Sequence, residues 1–363
     1  MKIGIDARFY GLQGLGRYTE QLILHLAAQD SQTTYIVFVQ PSAQVPPLPS
    51  NFHVVRTTIH WYGWREQMLW PLLLYRYALD GMHFTHFNVP ILYRRPFLVT
   101  IHDLILFHYP SATISTRNPF YFKLKYLLYT IVIKSAVRRA ATIITVSDFS
   151  AGDIASFFSR ESSKVIVIHE GFTASRQRVT VTQPAASPYL LYVGNAYPHK
   201  NLKFLVTNFA KYRMSHPTIR LVLVGTKDFF YRELEHYVNA EKILGVTFRG
   251  RVDDYVLFDL YAHAAAYIAP ARYEGFGLPL LEAFAAQAPV LSSNRTSLPE
   301  VGGDAALYFD PENSADFLEK LDRILTDATL RRELVKKGSE RILQFSWFEM
   351  TKKTRELYSR FKS

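Results

Sequence analysis

The stretch PARYEGFGLPLLEAFAAQAPV, Pro270–Val290, places two carboxylates, Glu274 and Glu282, around a glycine turn that opens a helix. The run AAAYIAP before it, Ala264–Pro270, is short, apolar and stopped by proline, the pattern of a buried strand. Gly275 and Gly277 allow a tight turn with close backbone approach. Pro279 suits a first helical turn, and LLEAFAA continues as a good helix former. A helix N-terminus after a strand offers unpaired N–H groups and the positive end of a dipole, which suits a phosphate. Glu274 in the loop and Glu282 further into the helix then stand on either side of that phosphate. An acid–phosphate–acid layout is what a nucleotide-sugar needs, with the sugar at one end and the ribose at the other.

Outward from this unit, strand-like and helix-like runs alternate. In the N-terminal half the candidate strands are 2–6, 35–40, 53–58, 96–102, 142–147 and 164–169, with helical patterns such as RYTEQLILHLAAQ and REQMLWPLLLYRYAL between them. TASRQRVTVTQPAAS, Thr173–Ser187, loses apolar periodicity and marks a linker. Alternation restarts with 189–194, 220–225, 245–250, 265–270 and 289–293. Such alternation argues for parallel α/β sheets, here two successive doubly wound units. The run WFEMTKKTRELYSRF near the end has a helical pattern.

A chain of 363 residues suggests two domains, each with its own core, and a hydrophobic content of 48% describes a soluble globular protein. No run approaches the roughly 18 consecutive apolar residues of a membrane span. The start MKIGIDARFYG is unlike a signal peptide because Asp6 and Arg8 interrupt its apolar run, so a cytoplasmic location is expected. The absence of cysteine excludes disulfides, thiol nucleophiles and cysteine metal sites. The balance of 42 Lys and Arg against 31 Asp and Glu, a net +11, calls for an anionic partner: nucleic acid, anionic membrane or phosphate-bearing substrate. No nucleic-acid-binding motif is present, so nucleic acid is not expected. Phe107–Ala140 interleaves Lys123, Lys125, Lys134, Arg138 and Arg139 with aromatic and aliphatic residues. It fits either a helix lying on an anionic membrane surface, which would place the protein peripherally on the inner face of the plasma membrane, or a packed helix with a solvated basic side.

The nonapeptide EGFGLPLLE, its acids eight positions apart, resembles the E-x7-E signature of retaining glycosyltransferases of the group 1, or family 4, class. SSNRTSLPEVGGDAALYFDP (Ser292–Pro311), FRGRVDD and IGIDARFYGLQGLGRYTEQL are similar to the same family and stand in its order from Ile3 to Pro311. The resemblance implies a GT-B fold: two Rossmann-like, doubly wound parallel-sheet domains facing a central cleft. It places an acceptor-binding domain at 1–180, a nucleotide-sugar-binding domain at 181–345, and a C-terminal helix at 346–363 that returns to the first domain.

By the same resemblance, the loop of Gly11, Gly14 and Gly16 approaches the donor diphosphate and transferred sugar, and His102 faces that sugar, with Asp103 beside it. The glycine spacing is G-x2-G-x-G rather than a dinucleotide fingerprint, which counts against a nicotinamide cofactor. Lys200 is suited to the diphosphate, and Gly250 and Arg251 to the neighbourhood of the base. Gly275, Phe276, Gly277 and Leu278 join the two glutamates as donor-binding residues, and Glu300 lies in a loop beside the donor. Two positions depart from the pattern. Asn195 stands where the family carries an arginine, so that His199 or Arg272 would have to share its role, and Gln287-Ala288 replaces a glycine turn. Ser147–Ser150 has the form of a helix N-cap.

Together these motifs lead to the expectation of a nucleotide-sugar-dependent hexosyltransferase, with His102, Lys200 and Glu274 at the chemistry and a glycan or lipid-linked acceptor. Its motif forms look like mannosyl- and rhamnosyl-type enzymes of bacterial surface polysaccharides. No D-x-D or His/Cys cluster is present, so neither metal nor other cofactor is expected. A catalytically silent GT-B nucleotide-binding protein is the alternative.

Overall fold

The computed structural model describes residues 1–12, 14–110, 119–172 and 187–362. Two compact units divide the chain: Met1–Gly171 with Ser346–Ser363, and Phe172–Phe345. Most of the expected linker, and the expected boundary at residue 180, lie outside the described residues.

The first unit carries strands β1 (Lys2–Asp6), β2 (Thr34–Val39), β3 (Phe52–Arg56), β4 (Gly81–Phe84), β5 (Phe97–Ile101), β6 (Thr142–Thr145) and β7 (Val165–Val167). Its helices are α1 (Leu15–Gln29), α2 (Trp64–Tyr75), α3 (Ile105–His108), α4 (Pro119–Arg139) and α5 (Asp148–Phe157). The sheet runs β3-β2-β1-β4-β5-β6-β7, parallel throughout. Ile3, Ile5, Val37, Phe38, Leu98, Val99, Ile143 and Ile144 are fully buried. Helices covering both faces of a parallel sheet demand such near-continuous apolar strands, which is why those strands stand out in the sequence.

The second unit has β8 (Tyr189–Val193), β9 (Arg220–Val224), β10 (Val246–Gly250), β11 (Ala266–Ala269), β12 (Val290–Ser293) and β13 (Leu307–Phe309). Between and after them lie α6 (Leu202–Ser215), α7 (Phe229–Ala240), α8 (Asp254–Ala262), α9 (Leu278–Ala285), α10 (Leu298–Gly302), α11 (Ser314–Thr326) and α12 (Ala328–Arg341). The order is β10-β9-β8-β11-β12-β13, again parallel. Each unit is thus Rossmann-like, and the direction of winding reverses between β1 and β4 and between β8 and β11. Ligands of open α/β sheets gather at the carboxyl ends of strands flanking such a reversal.

The last helix, α13 (Trp347–Tyr358), packs on α1 in the first unit. Gln29 Nε2 donates to the Phe348 carbonyl at 3.1 Å, and Arg355 Nη1 donates to the Gln29 carbonyl at 2.6 Å. Ser147 caps α5 by accepting the Ser150 N–H at 3.1 Å, as the TVSDFS run predicts.

Two strands, β4 and β13, are not among those expected from the sequence. The four residues of β4, GMHF, include a glycine and a histidine, too little apolar alternation to stand out. Both are explained by partners at the far end of the chain. A Cβ on Gly81 would sit 2.1 Å from the Phe361 ring, and buried His83 bonds the Tyr358 hydroxyl through Nδ1 at 2.8 Å. β13 has only three residues and forms the edge of its sheet.

Candidate active site

In the second unit, the reversal point brings Lys200 and Glu274 together. Lys200 follows β8 at the end of the 3₁₀ turn Pro198–Lys200, which Asn201 closes in the left-handed region at φ 61°. Asn201 Nδ2 anchors the turn by donating to the Pro311 carbonyl at 3.0 Å. Glu274 follows β11. The Lys200 ammonium donates to Glu274 Oε1 as an ion pair, with side chains only 15% and 19% exposed. Each group therefore neutralises the other.

The loop that carries Glu274 is pinned from one direction. Its backbone N–H donates to Thr296 Oγ1 at 3.1 Å, and the buried Ser297 hydroxyl donates at 3.0 Å to the carbonyls of both Glu274 and Phe276. Phe276 is buried edge-on against Phe345. Gly277 sits just before α9 at φ 103°, where a Cβ would come within 2.9 Å of Leu298 Cδ2. Only glycine makes that turn without strain. Leu278 opens α9, Pro279 fills its first turn, and no side chain caps it.

Glu282, within α9, accepts the Tyr261 hydroxyl from α8 at 3.0 Å through Oε2. Both glutamates act on Tyr267, whose phenol is raised well above its ordinary range by burial first and by the two carboxylates second. Gly250 (φ 72°) and Arg251 lie at the end of the edge strand β10, with β9 and β8 between them and β11.

The two departures from the family pattern have a local explanation. Asn195 builds its own loop, its Oδ1 accepting the Tyr197 N–H at 3.3 Å. Of the two candidates to share the role of the missing arginine, His199 is buried. Burial, aided by the Lys200 charge, pushes it down to about 3, so it is neutral. The Arg272 backbone N–H donates to the His199 carbonyl at 2.8 Å, and its guanidinium donates two bonds to Glu312. Gln287 takes φ 59°, so the turn expected of glycine is kept by a residue bearing a side chain, at about 1 kcal/mol.

In the first unit, Gly14 takes φ 64° at the start of α1, and buried Gly16 leaves room for the Phe9 carbonyl, which a Cβ would approach to 2.6 Å. Gln13 between Gly11 and Gly14 lies outside the described residues. His102 follows β5 and is buried. Its Nε2 faces the Thr85 carbonyl and its Nδ1 faces Glu170 Oε1, both at 3.1 Å, and the Tyr18 ring meets it edge-on at 4.8 Å. Burial, and then the His102 charge, push His83 down to about 3 and His86 well below its usual range.

Glu170, Thr296 and Ser297 were not among the expected site residues, although the last two lie in the family-like run Ser292–Pro311, nor was the network around Arg8 behind the first glycine loop. There Arg8, 1% exposed, bonds Asp6 at 2.7 and 2.8 Å and Glu66 at 2.7 Å, and stacks 4.4 Å above Trp70. Burial opposes its charge, yet the two carboxylates hold its guanidinium above the ordinary value. One available signal was the strand-end acid in VIVIHEG, since acids at strand ends of parallel sheets face the ligand edge.

Comparison with known proteins gives the family. Residues 12–176 match the model for glycosyltransferase family 4, and residues 175–341 match that for glycosyl transferases group 1. The chain is 28% identical to O-antigen chain mannosyltransferase B of Escherichia coli over 96% of each protein. Among solved structures it resembles sucrose-phosphate synthase from Thermosynechococcus elongatus, with TM-score 0.78, 22% identity, and 99% and 98% of the two chains covered. It also resembles Anabaena HepE in complex with UDP-glucose, with TM-score 0.71, 17% identity, and 99% and 100% covered. With paired Rossmann-like units and both family models spanning them, the chain belongs to the group 1 glycosyltransferases of the GT-B fold.

Proposed function

We propose that the protein transfers a hexose from a GDP- or UDP-linked donor, of mannosyl or rhamnosyl type, to a glycan or lipid-linked acceptor in bacterial surface polysaccharide synthesis. Transfer retains the anomeric configuration. The observation that carries this reading is the Lys200–Glu274 ion pair at the reversal point of the second sheet, beside the uncapped start of α9. The O-antigen mannosyltransferase relative and the UDP-glucose-bound structural neighbour support the donor and the pathway class.

On this reading the donor divides the pair, its diphosphate taking Lys200 and its sugar hydroxyls taking Glu274. Negative charge grows on the diphosphate as the glycosidic bond breaks, and a fixed cation and helix N-terminus stabilise that charge most in the transition state. The departing diphosphate accepts the acceptor's proton, so the chemistry asks for no side-chain nucleophile and no metal. A catalytically silent nucleotide-binding protein is the second reading, favoured by Asn195 serving its own loop. Thermal shift with UDP, GDP and ADP, followed by turnover of the matching labelled sugars on a lipid extract with and without chelator, separates the two. Stabilisation without transfer supports the silent protein, and chelator-sensitive transfer removes metal independence.

The acceptor side of this reading includes an anionic membrane. Helices α2 and α4 share one core cluster, and their outer faces expose Trp64, Met68 and Leu72, and Leu124, Leu127 and Ile131. Lys123, Lys125 and Lys134 are exposed on α4, and no acid occurs between Asp103 and Asp148. Residues 111–118 of the segment lie outside the described residues. Each basic side chain at an anionic surface contributes about 1 kcal/mol. Flotation should improve with anionic lipid and weaken with salt; equal recovery on neutral vesicles opposes it. Among the described residues no helix is long and apolar enough to cross a membrane.

A further inference from the structure

We propose that Glu170 is a positioning residue for His102, holding its ring as a doubly protonated imidazolium and cancelling that charge. His102 then works as one half of a fixed, net-neutral pair rather than as a free base.

Hydrogen-bond chemistry leads there directly. A carbonyl oxygen only accepts, so the 3.1 Å contact to Thr85 requires a proton on Nε2. Glu170 is taken as an ionised carboxylate, which only accepts, and the proton in the 3.1 Å contact is therefore assigned to Nδ1. Both ring nitrogens are thereby engaged, and the Tyr18 ring packs perpendicular to the imidazole at 4.8 Å. The pair is almost fully buried, with side chains 8% and 7% exposed, where an uncompensated charge would be costly.

Glu170 is itself fixed by its neighbour. A Cβ on Gly171 would lie 2.0 Å from the Trp347 backbone nitrogen, so glycine alone lets the two segments pass. The other titratable groups packed around the ring do not replace the Glu170 charge. From α1, Tyr18 is raised by burial and stays protonated; from β4 and the residues after it, His83 and His86 are kept neutral by burial. Asp103, which follows His102, turns its Oδ1 to the Ile105 N–H and accepts that bond at 3.0 Å.

The consequence for catalysis rests on the transferase reading above. On that reading the sugar becomes electron-poor as the glycosidic bond breaks, and an uncompensated imidazolium among the catalytic groups would raise the barrier. The Glu170 carboxylate removes that penalty while it fixes the ring.

Glu170→Gln tests this with little change in shape. The amide can donate to Nδ1, so the ring keeps its place but loses one proton. Full-length protein labelled with ¹⁵N-histidine, with His102→Gln to assign the resonances, reads the proton state without turnover. Both ring nitrogens of His102 should be protonated in the wild type, and Nδ1 should become an unprotonated nitrogen in Glu170→Gln. With the best donor, kcat should fall about tenfold while the donor KM moves less than about threefold, and Glu170→Asp should recover part of the loss. A singly protonated His102 in the wild type, or an unchanged spectrum in Glu170→Gln, overturns the proton assignment. An unchanged kcat overturns the role in transfer. If the wild type transfers no sugar from any donor, the transferase reading fails, and the spectrum still decides the state of the pair.

Discussion

At the residue scale, the candidate site is a set of charges that hold one another. Lys200 and Glu274 are paired, and Arg272 is engaged by Glu312. Because the diphosphate gains charge in the transition state, Lys200→Ala should lower kcat/KM by the equivalent of about 2–4 kcal/mol, and more than it weakens acceptor binding. Steady-state kinetics over donor and acceptor checks this; a near-wild-type value at subsaturating donor removes Lys200 from the site. The two glutamates separate in a second experiment. Glu282→Gln should weaken binding of free nucleoside diphosphate by about 1.5–3 kcal/mol, whereas Glu274→Gln should leave that affinity nearly intact and damage turnover. Isothermal calorimetry with the free nucleotide decides, and the reverse pattern would turn the donor end for end. The pairing of Lys200 with Glu274 was not visible in the sequence, because it depends on β8 and β11 becoming neighbours. The residues themselves were, because each ends an apolar strand with a glycine-rich or basic loop. Glu170 showed in the sequence only as an acid just past a strand; its pairing with His102, which follows a different strand, was not legible there.

At the element scale, the strand–turn–helix around Gly277 sets the geometry of the second site. Gly277→Ala would put a Cβ against Leu298 at a left-handed φ, and should cost about 1–3 kcal/mol of stability. Denaturant melts of the variant measure it; an unchanged midpoint means the turn relaxes elsewhere and the strain argument is wrong. Most elements were legible for a single physical reason: a strand buried on both faces must be apolar along its whole length. β4 and β13 escaped for the converse reason. They are short, and β4 owes its glycine and histidine to Phe361 and Tyr358 at the other end of the chain, contacts no local pattern encodes. The unexpected strand β4 flanks the reversal point, and the Thr85 carbonyl, directly after it, accepts a hydrogen bond from His102 Nε2.

At the scale of the whole molecule, buried neutral histidines couple stability to pH. His83 and His199 are pushed down from 6.5 to about 3 by burial. Below about pH 6.5 the unfolded chain takes up protons at these positions that the folded chain refuses, so acid favours unfolding. Their contribution to stability is complete above about pH 6.5 and is lost progressively as pH falls toward 3. Thermal melts should therefore show Tm dropping between pH ~6.5 and ~4, and a level Tm across that window contradicts the burial of neutral imidazoles. The same molecule carries group 1 signatures on two Rossmann-like units, and its proposed activity is retaining transfer. The anomeric configuration of the product tests that claim most directly, read from the one-bond ¹³C–¹H coupling of a ¹³C-labelled sugar transferred from its nucleotide donor. Retention of the donor's configuration is the predicted result; an inverted anomeric centre, or no transfer from any nucleotide-sugar, would contradict it.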